Sequence, residues 1–268
     1  MENRLPTTHA IKVTGIQAMR MSLESAVKYL EKRLPRPSDG RIDLMAFPEK
    51  WIVDRIESDS EKMSLLLGVF SDISEKYSCV LIPGSLSVTR NGRLFNSAPV
   101  MDSGKILGWQ DKISPFGNEK TEYSSGNGIN IFNTSAGKLS VPVCYDIDFP
   151  YFLKVSIRDG AEYAINPSLI DSEYHDLWRL YISARSLENR IPVLSINSLS
   201  APFNGNSLAV QPYLHYYGFK IRTMDAGDKE VFSTELDISE IREHMVKRTD
   251  EDPGVYCLSK NKMIDNVR

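Results

Sequence analysis

Three side chains of complementary chemistry stand at the ends of candidate strands: Glu49 after Phe47-Pro48, Lys112 after the hairpin ending Trp109-Gln110, and Cys144 after residues 139–143. A cysteine attacks only as its thiolate, and it needs a proton acceptor and a nearby cation to become one. A carboxylate beside it takes the thiol proton and later returns it to a leaving amine. A lysine in the same pocket stabilises the thiolate and a tetrahedral oxyanion. Together the three groups suffice for acyl transfer from an amide without any histidine. Each also has a plainer reading. A cysteine closing an apolar strand is commonly a small buried hydrophobe, a glutamate there is a polar cap, and a lone lysine is a solvated surface residue. Cys79, inside an apolar run, keeps the structural reading, and Cys257 reads as an incidental residue near the C-terminus.

The elements that would position these residues alternate between strand and helix. Residues 11–16, 43–47 and 79–82 read as strands, the second stopped by Pro48 and the third by Pro83-Gly84. Leu23, Ala26, Val27 and Leu30 have helical spacing within residues 21–33, as do Leu65, Leu66, Val69, Phe70 and Ile73 within 61–77. Residues 88–110 predict hairpins turning at Asn91-Gly92 and Ser103-Gly104. A loop-rich stretch, 114–130, precedes strands at 129–133 and 139–144. A helix at 150–159 follows, opened by a proline, then a strand at 163–166, a long helix at 173–190 and a strand at 193–197. Hairpins at 205–232 and a last helix at 237–247, with Asp237 at its N-terminal end, complete the pattern. This alternation predicts an α/β fold with a mixed sheet rather than a (β/α)8 barrel. With no repeat or linker to divide the chain, residues 1–247 are expected to form one domain. Residues 248–268 are expected to be an extended tail able to reach a neighbouring subunit.

Several segments have a familiar order. Phe47-Pro48-Glu49, the Lys112 segment, Val143-Cys144-Tyr145-Asp146-Ile147-Asp148-Phe149-Pro150 and Ala184-Arg185-Ser186-Leu187-Glu188-Asn189 resemble the signatures of the nitrilase (carbon–nitrogen hydrolase) superfamily. Phe95-Asn96-Ser97-Ala98, the run 160–168 and Phe203-Asn204-Gly205-Asn206-Ser207 add to the match, which covers residues 11–237. Each motif alone is weak, and their shared order is specific. The resemblance implies an α–β–β–α sandwich extended by dimerisation across helices near the active site. It implies Glu49 as base, Lys112 as oxyanion stabiliser and Cys144 as nucleophile, with the Tyr145 backbone N–H completing the oxyanion hole. A further active-site glutamate falls best on Glu119, with Glu122 as the competitor. Tyr145, Phe149, His175 and Trp178 either line the substrate pocket or serve packing alone. Arg185, Glu188 and Asn189 are expected in the scaffold or a dimer interface.

The chain also departs from that pattern. Gln110-Asp111 replaces the usual aromatic-basic pair and places an acid beside Lys112, while Lys50-Trp51-Ile52 replaces a leucine-containing continuation. The run 112–119 looks somewhat like the membrane apolipoprotein N-acyltransferase branch, whose membrane helices this sequence lacks. The expected activity is hydrolysis of C–N bonds in small carboxamides or N-carbamoyl compounds through a cysteine thioester. A soluble N-acyltransferase and a non-catalytic scaffold of the same fold are the alternatives.

Bulk composition narrows the partners. A net charge of −3 supplies no global field to attract nucleic acid or an anionic membrane. No apolar run approaches the ~18–20 residues that span a bilayer, and residues 1–20 lack the pattern of a leader. Three cysteines fit no disulfide framework or zinc spacing, so a reducing cytoplasm is expected. The four histidines are scattered, and no nucleotide-binding glycine motif appears. No cofactor and no metal are expected, and the partners are a small amide-type substrate, water and a second copy of the chain.

Overall fold

The computed structural model describes residues 10–34, 40–239, 242–251, 256–258 and 262–264. One sheet contains β1 (Ala10–Ile16), β2 (Leu44–Ala46), β3 (Arg55–Glu57), β4 (Val80–Ile82), β5 (Leu86–Arg90), β6 (Arg93–Asp102), β7 (Lys105–Asp111) and β14 (Val231–Asp237). Its order is β14-β1-β2-β4-β6-β5-β3, with β7 also paired to β6. The second contains β8 (Ile131–Thr134), β9 (Gly137–Ser140), β10 (Tyr163–Pro167), β11 (Val193–Ile196), β12 (Leu208–His215) and β13 (Gly218–Asp225), in the order β13-β12-β11-β10-β9-β8. β15 (Tyr256–Leu258) and β16 (Lys262–Ile264) form a separate ribbon.

Strand periodicity sorts the side chains into layers, because alternate residues face opposite sides of a sheet. Leu44, Ala46, Val80 and Ile82 meet Val141, Val143, Ile165, Leu194 and Ile196 between the sheets. Met45 and Leu81, one residue out of step, face the other way, onto α1 (Leu23–Arg33) and α2 (Glu61–Tyr77). Ala164 and Val193 likewise face α4 (Pro150–Arg158) and α5 (His175–Asn189). The result is the expected α–β–β–α sandwich. Because the central strands are covered on both faces, their sequences read as continuous apolar runs rather than alternating ones.

Several boundaries differ from the sequence reading. β3 was not anticipated, since three residues with exposed Arg55 and Glu57 carry almost no apolar signal. The strand expected to run through Cys144 ends at Ser140; Pro142 lacks a backbone donor, and Cys144 turns to φ +47°. The expected loop contains a one-turn helix, α3 (Glu119–Glu122). The hairpin reading of 205–232 holds for β12 and β13, whereas β14 crosses to the other sheet and pairs antiparallel with β1. The last helix, α6, spans Arg242–Glu251 rather than 237–247. Of the expected tail, residues 252–255, 259–261 and 265–268 lie outside the described residues.

Candidate active site

β2 aims its C-terminal end at the site. Phe47 donates its N–H to Ile82 O at 3.0 Å, and Trp51 stacks on Phe47 at 5.2 Å while donating Nε1–H to Pro83 O at 2.7 Å. Gly84 (φ +80°) lets the end of β4 pass this turn, since a Cβ there would lie 1.9 Å from Pro48 O. Glu49 is thereby held at 2% exposure. Lys112 leaves β7 with its N–H bonded to Asn96 O at 2.8 Å. Asp111, its neighbour, turns away to ion-pair with Arg90 and to accept from Ser97 Oγ at 2.5 Å. The acid beside the lysine is therefore satisfied on another side.

Cys144 opens a 3-10 turn, Cys144–Asp148, in the left-handed region at φ +47°, where a side chain is strained. Three neighbours hold this conformation. Asp146 accepts the N–H groups of Val143 at 3.1 Å, Ile113 at 3.1 Å and Ser114 at 2.7 Å, which ties the turn to the segment after Lys112. Arg185 donates to Ile147 O at 2.8 Å and Asp148 O at 2.5 Å. Asn166 Nδ2 donates to Pro142 O at 2.8 Å and Cys144 O at 3.2 Å. Among the described residues the Tyr145 N–H donates to no protein acceptor.

These elements bring four of the expected residues together. Lys112 Nζ lies 2.9 Å from Glu49 Oε1 and 2.8 Å from Glu119 Oε2. Asn96 Nδ2 donates to Glu49 Oε1 at 2.6 Å and reaches Glu119 Oε1 at 3.4 Å. The buried Cys144 thiol feels the charges of both Glu49 and Lys112. Burial pushes that thiol far above its ordinary range and Glu49 adds to the effect, while Lys112 and the Leu169 N–H oppose it. Burial also disfavours charge on Lys112, but Glu49, Cys144 and Glu119 outweigh it and keep the ammonium protonated. Glu119 feels burial too, yet Lys112 and Lys50 override it and hold its carboxyl at about 2. Glu122, the competing candidate, instead pairs with Arg55 at 2.5 Å on the surface.

Tyr145 and Phe149 pack edge to face at 5.2 Å, and Phe116 meets Tyr145 at 4.8 Å. Beside them lies a cavity of about 320 Å³, lined by Tyr145, Phe149, Ser114, Pro115, Lys120, Tyr123 and Ser125. His175 is not among the residues lining that cavity: its ring nitrogens meet Asn197 at 3.3 Å and Asn206 at 3.0 Å, beside a cavity of about 70 Å³ shared with Trp178. Trp178 bonds Ser195 Oγ at 2.9 Å. Sequence reasoning assigned no role to Asn96, Asp146 or Lys50. The first two lie within quoted motifs, and the third was noted only as a departure.

The family model for carbon–nitrogen hydrolase matches residues 13–244. The chain belongs to the carbon–nitrogen hydrolase family. A probable hydrolase of Bacillus subtilis is 27% identical over 63% of this chain and 36% of its own length. The match to a probable nitrilase of Schizosaccharomyces pombe, also 27% identical, covers 64% of each protein. The chain thus spans about a third and just under two thirds of these two relatives. An omega-amidase of Saccharomyces cerevisiae is 23% identical over 75% of this chain and 78% of its own. The crystal structure of Saccharomyces cerevisiae Nit3, a member of branch 10 of the nitrilase superfamily, superposes with a TM-score of 0.72. That match has 23% identity and covers 89% of this chain and 94% of that one. The carbon–nitrogen hydrolase fold of the chain is therefore seen in both sequence and structure. Among the described residues no helix is long and apolar enough to cross a membrane.

Proposed function

We propose that this carbon–nitrogen hydrolase cleaves small carboxamides or N-carbamoyl compounds through a thioester on Cys144. The observation that carries the reading is the buried cluster in which Lys112 holds Glu49 at 2.9 Å and Glu119 at 2.8 Å, its charges acting on the buried Cys144 thiol. The environment keeps the resting sulfur as a thiol, so its proton passes to Glu49 as the sulfur attacks the carbonyl carbon. The carbonyl π electrons move onto oxygen, where the Lys112 ammonium and the unengaged Tyr145 N–H stabilise the charge. The oxyanion collapses, the C–N bond breaks, and the leaving nitrogen takes the proton from Glu49. Water then gives a proton to Glu49 and attacks the thioester. The acid departs, and Cys144 regains its proton. Dividing the reaction at the thioester replaces one difficult step by two easier ones.

The aromatic cluster of Tyr145, Phe149 and Phe116, next in sequence to Cys144 through Tyr145, supports a small organic acyl group, and the omega-amidase relative supports an amide. The test is intact-mass spectrometry of wild type and Cys144→Ala after incubation with small amides, carbamoyl compounds and nitriles. An acyl adduct confined to wild type is expected, together with release of ammonia or amine. Full turnover by Cys144→Ala sinks the assignment.

A further inference from the structure

Glu49 and Lys50 leave the end of β2 in succession and enter the same chain of charges at opposite ends. Glu49 meets Lys112 at 2.9 Å, Lys112 meets Glu119 at 2.8 Å, and Glu119 in turn ion-pairs with Lys50. The Glu119 carboxylate is saturated by this arrangement. Oε1 accepts from Lys50 Nζ and Asn96 Nδ2, and Oε2 accepts from Lys112 Nζ and the Phe116 N–H at 3.1 Å. Lys50 is built into the site. Its backbone sits at φ +39°, its N–H is bonded to Ser85 O at 2.9 Å, and its ammonium lies 4.9 Å from the centre of the Tyr123 ring. A non-glycine residue holds a left-handed conformation at a cost, and such residues cluster at functional sites.

We propose that Lys50 is a positioning residue that neutralises Glu119, so that the charge of Lys112 is directed at Glu49 and Cys144 instead of being divided between two carboxylates. Without Lys50, one buried lysine would face two carboxylates and the chain would carry one net negative charge. That charge opposes thiolate formation at Cys144. With Lys50 the four charges cancel. The ordering of burial fits this division of labour: the Lys112 side chain is 3% exposed and the Lys50 side chain 18%, so Lys50 compensates from the solvent side. Tyr123 and Arg20 are the other titratable groups against Lys50. Asp146 and Asp148 face Lys112 beyond Glu49, Glu119 and Cys144. The proposal rests on Cys144 being the nucleophile and adds the residue that sets its electrostatic surroundings.

The test is the pH dependence of Cys144 alkylation by iodoacetamide, followed by intact mass, which requires no turnover. Four proteins are compared: wild type, Lys50→Met, Glu119→Gln and the double variant, with Lys50→Arg as the conservative control. Asp146 and Asp148 are common to all of them. Removing the cation is expected to move the alkylation limb upward by about one pH unit, making the reaction about tenfold slower on that limb. Glu119→Gln is expected to move it downward. Because the double variant loses one charge of each sign, its limb is expected to return to that of wild type, and Lys50→Arg should also coincide with wild type. Should Lys50→Met not fold, the double variant and Glu119→Gln still decide the matter, since identical limbs for those two overturn the role of Lys50. Coincident limbs for wild type and a folded Lys50→Met overturn it as well. A wild-type Cys144 that forms neither this adduct at any pH nor an acyl adduct with any of the small amides overturns the nucleophile reading and this inference together.

Discussion

Lys112 Nζ stands 2.9 Å from Glu49 Oε1, and both side chains are 3% exposed. An ion pair this deep has lost its hydration, so Glu49 without Lys112 is a buried charge that has lost its bonded cation, whereas Lys112 without Glu49 keeps Glu119. Lys112→Met is therefore expected to destabilise the protein by about 3–5 kcal/mol, while a paired Lys112→Met/Glu49→Leu change costs less than the sum of the single changes. Urea denaturation of the four proteins measures the coupling. Additive single effects would show that the pair is not coupled in solution.

Cys144 holds a left-handed φ of +47°. Cys144→Ala removes the sulfur but keeps a Cβ in that conformation, whereas Cys144→Gly removes both. The glycine variant is expected to be as stable as the alanine variant or up to about 1 kcal/mol more stable, although glycine ordinarily loses stability through unfolded-chain entropy. Both are expected to be inactive. Thermal unfolding of the pair measures the relief of strain, and a glycine variant clearly less stable than alanine would show that the turn carries none.

Asp146 is the mechanical link between the Lys112 segment and the Cys144 turn, because it accepts N–H groups from Ile113, Ser114 and Val143. Asp146→Ala leaves these donors without their acceptor in a buried place, at about 1–3 kcal/mol for each donor left unsatisfied. Small displacements at a reacting centre are costly, so kcat/KM is expected to fall about a hundredfold even in molecules that remain folded. Asp146→Asn, which keeps one carbonyl oxygen, should lie between. Kinetics below the unfolding transition, with circular dichroism as the control, separate the two effects. Unchanged kcat/KM in a folded Asp146→Ala protein would remove Asp146 from the positioning of the site.

The layers of the fold were legible because central strands such as Leu44–Ala46 and Val80–Ile82 are apolar on both faces, and α1 and α2 carry clear helical spacing. The positions of Glu49, Lys112 and Cys144 were legible as residues at the ends of candidate strands. Their partners were not. Asn96 lies in a strand where its burial and its bond to Glu49 depend on the pairing of β6, a relation across 47 positions. Lys50 reads as a surface lysine until the positive φ after Glu49 turns it onto Glu119. The crossing of β14 to β1 joins residues more than two hundred positions apart, and no local pattern encodes that choice.

Copies of the chain are expected to pair across α4 and α5. Tyr151, Leu177, Leu180 and Tyr181 are 40–65% exposed on these helices, an apolar face that a lone soluble chain seldom leaves uncovered. Leu180→Asp, at the most exposed of these positions, introduces a charge that pairing would bury. Sedimentation velocity should show a dimer for wild type and a monomer for the variant at micromolar concentration. Equal sedimentation of the two would exclude this face as the contact.

Two sets of carboxylates give stability opposite slopes with pH. Burial opposes ionisation of Glu119, but Lys112 and Lys50 hold its pKa at about 2, below the unfolded value of 4.5. Its contribution is present above pH 4.5 and is lost as pH falls toward 2. Burial raises Asp146 and Asp148 to about 6 from 3.8, against the backbone donors of Asp146 and the Arg185 charge beside Asp148. The folded state therefore binds their protons more tightly, and their contribution is present below pH 3.8 and lost as pH rises through 6. Asp148 Oδ1 is buried without a hydrogen-bond partner, so replacing this side chain removes an unfavourable ionisation rather than a satisfied bond. Asp148→Asn is accordingly expected to flatten the fall in thermal midpoint between pH 4 and 6.5, and Glu119→Gln to flatten the rise between pH 2.5 and 4.5. Midpoints recorded across both windows test each sign separately, and an Asp148→Asn curve parallel to wild type would remove Asp148 from the account.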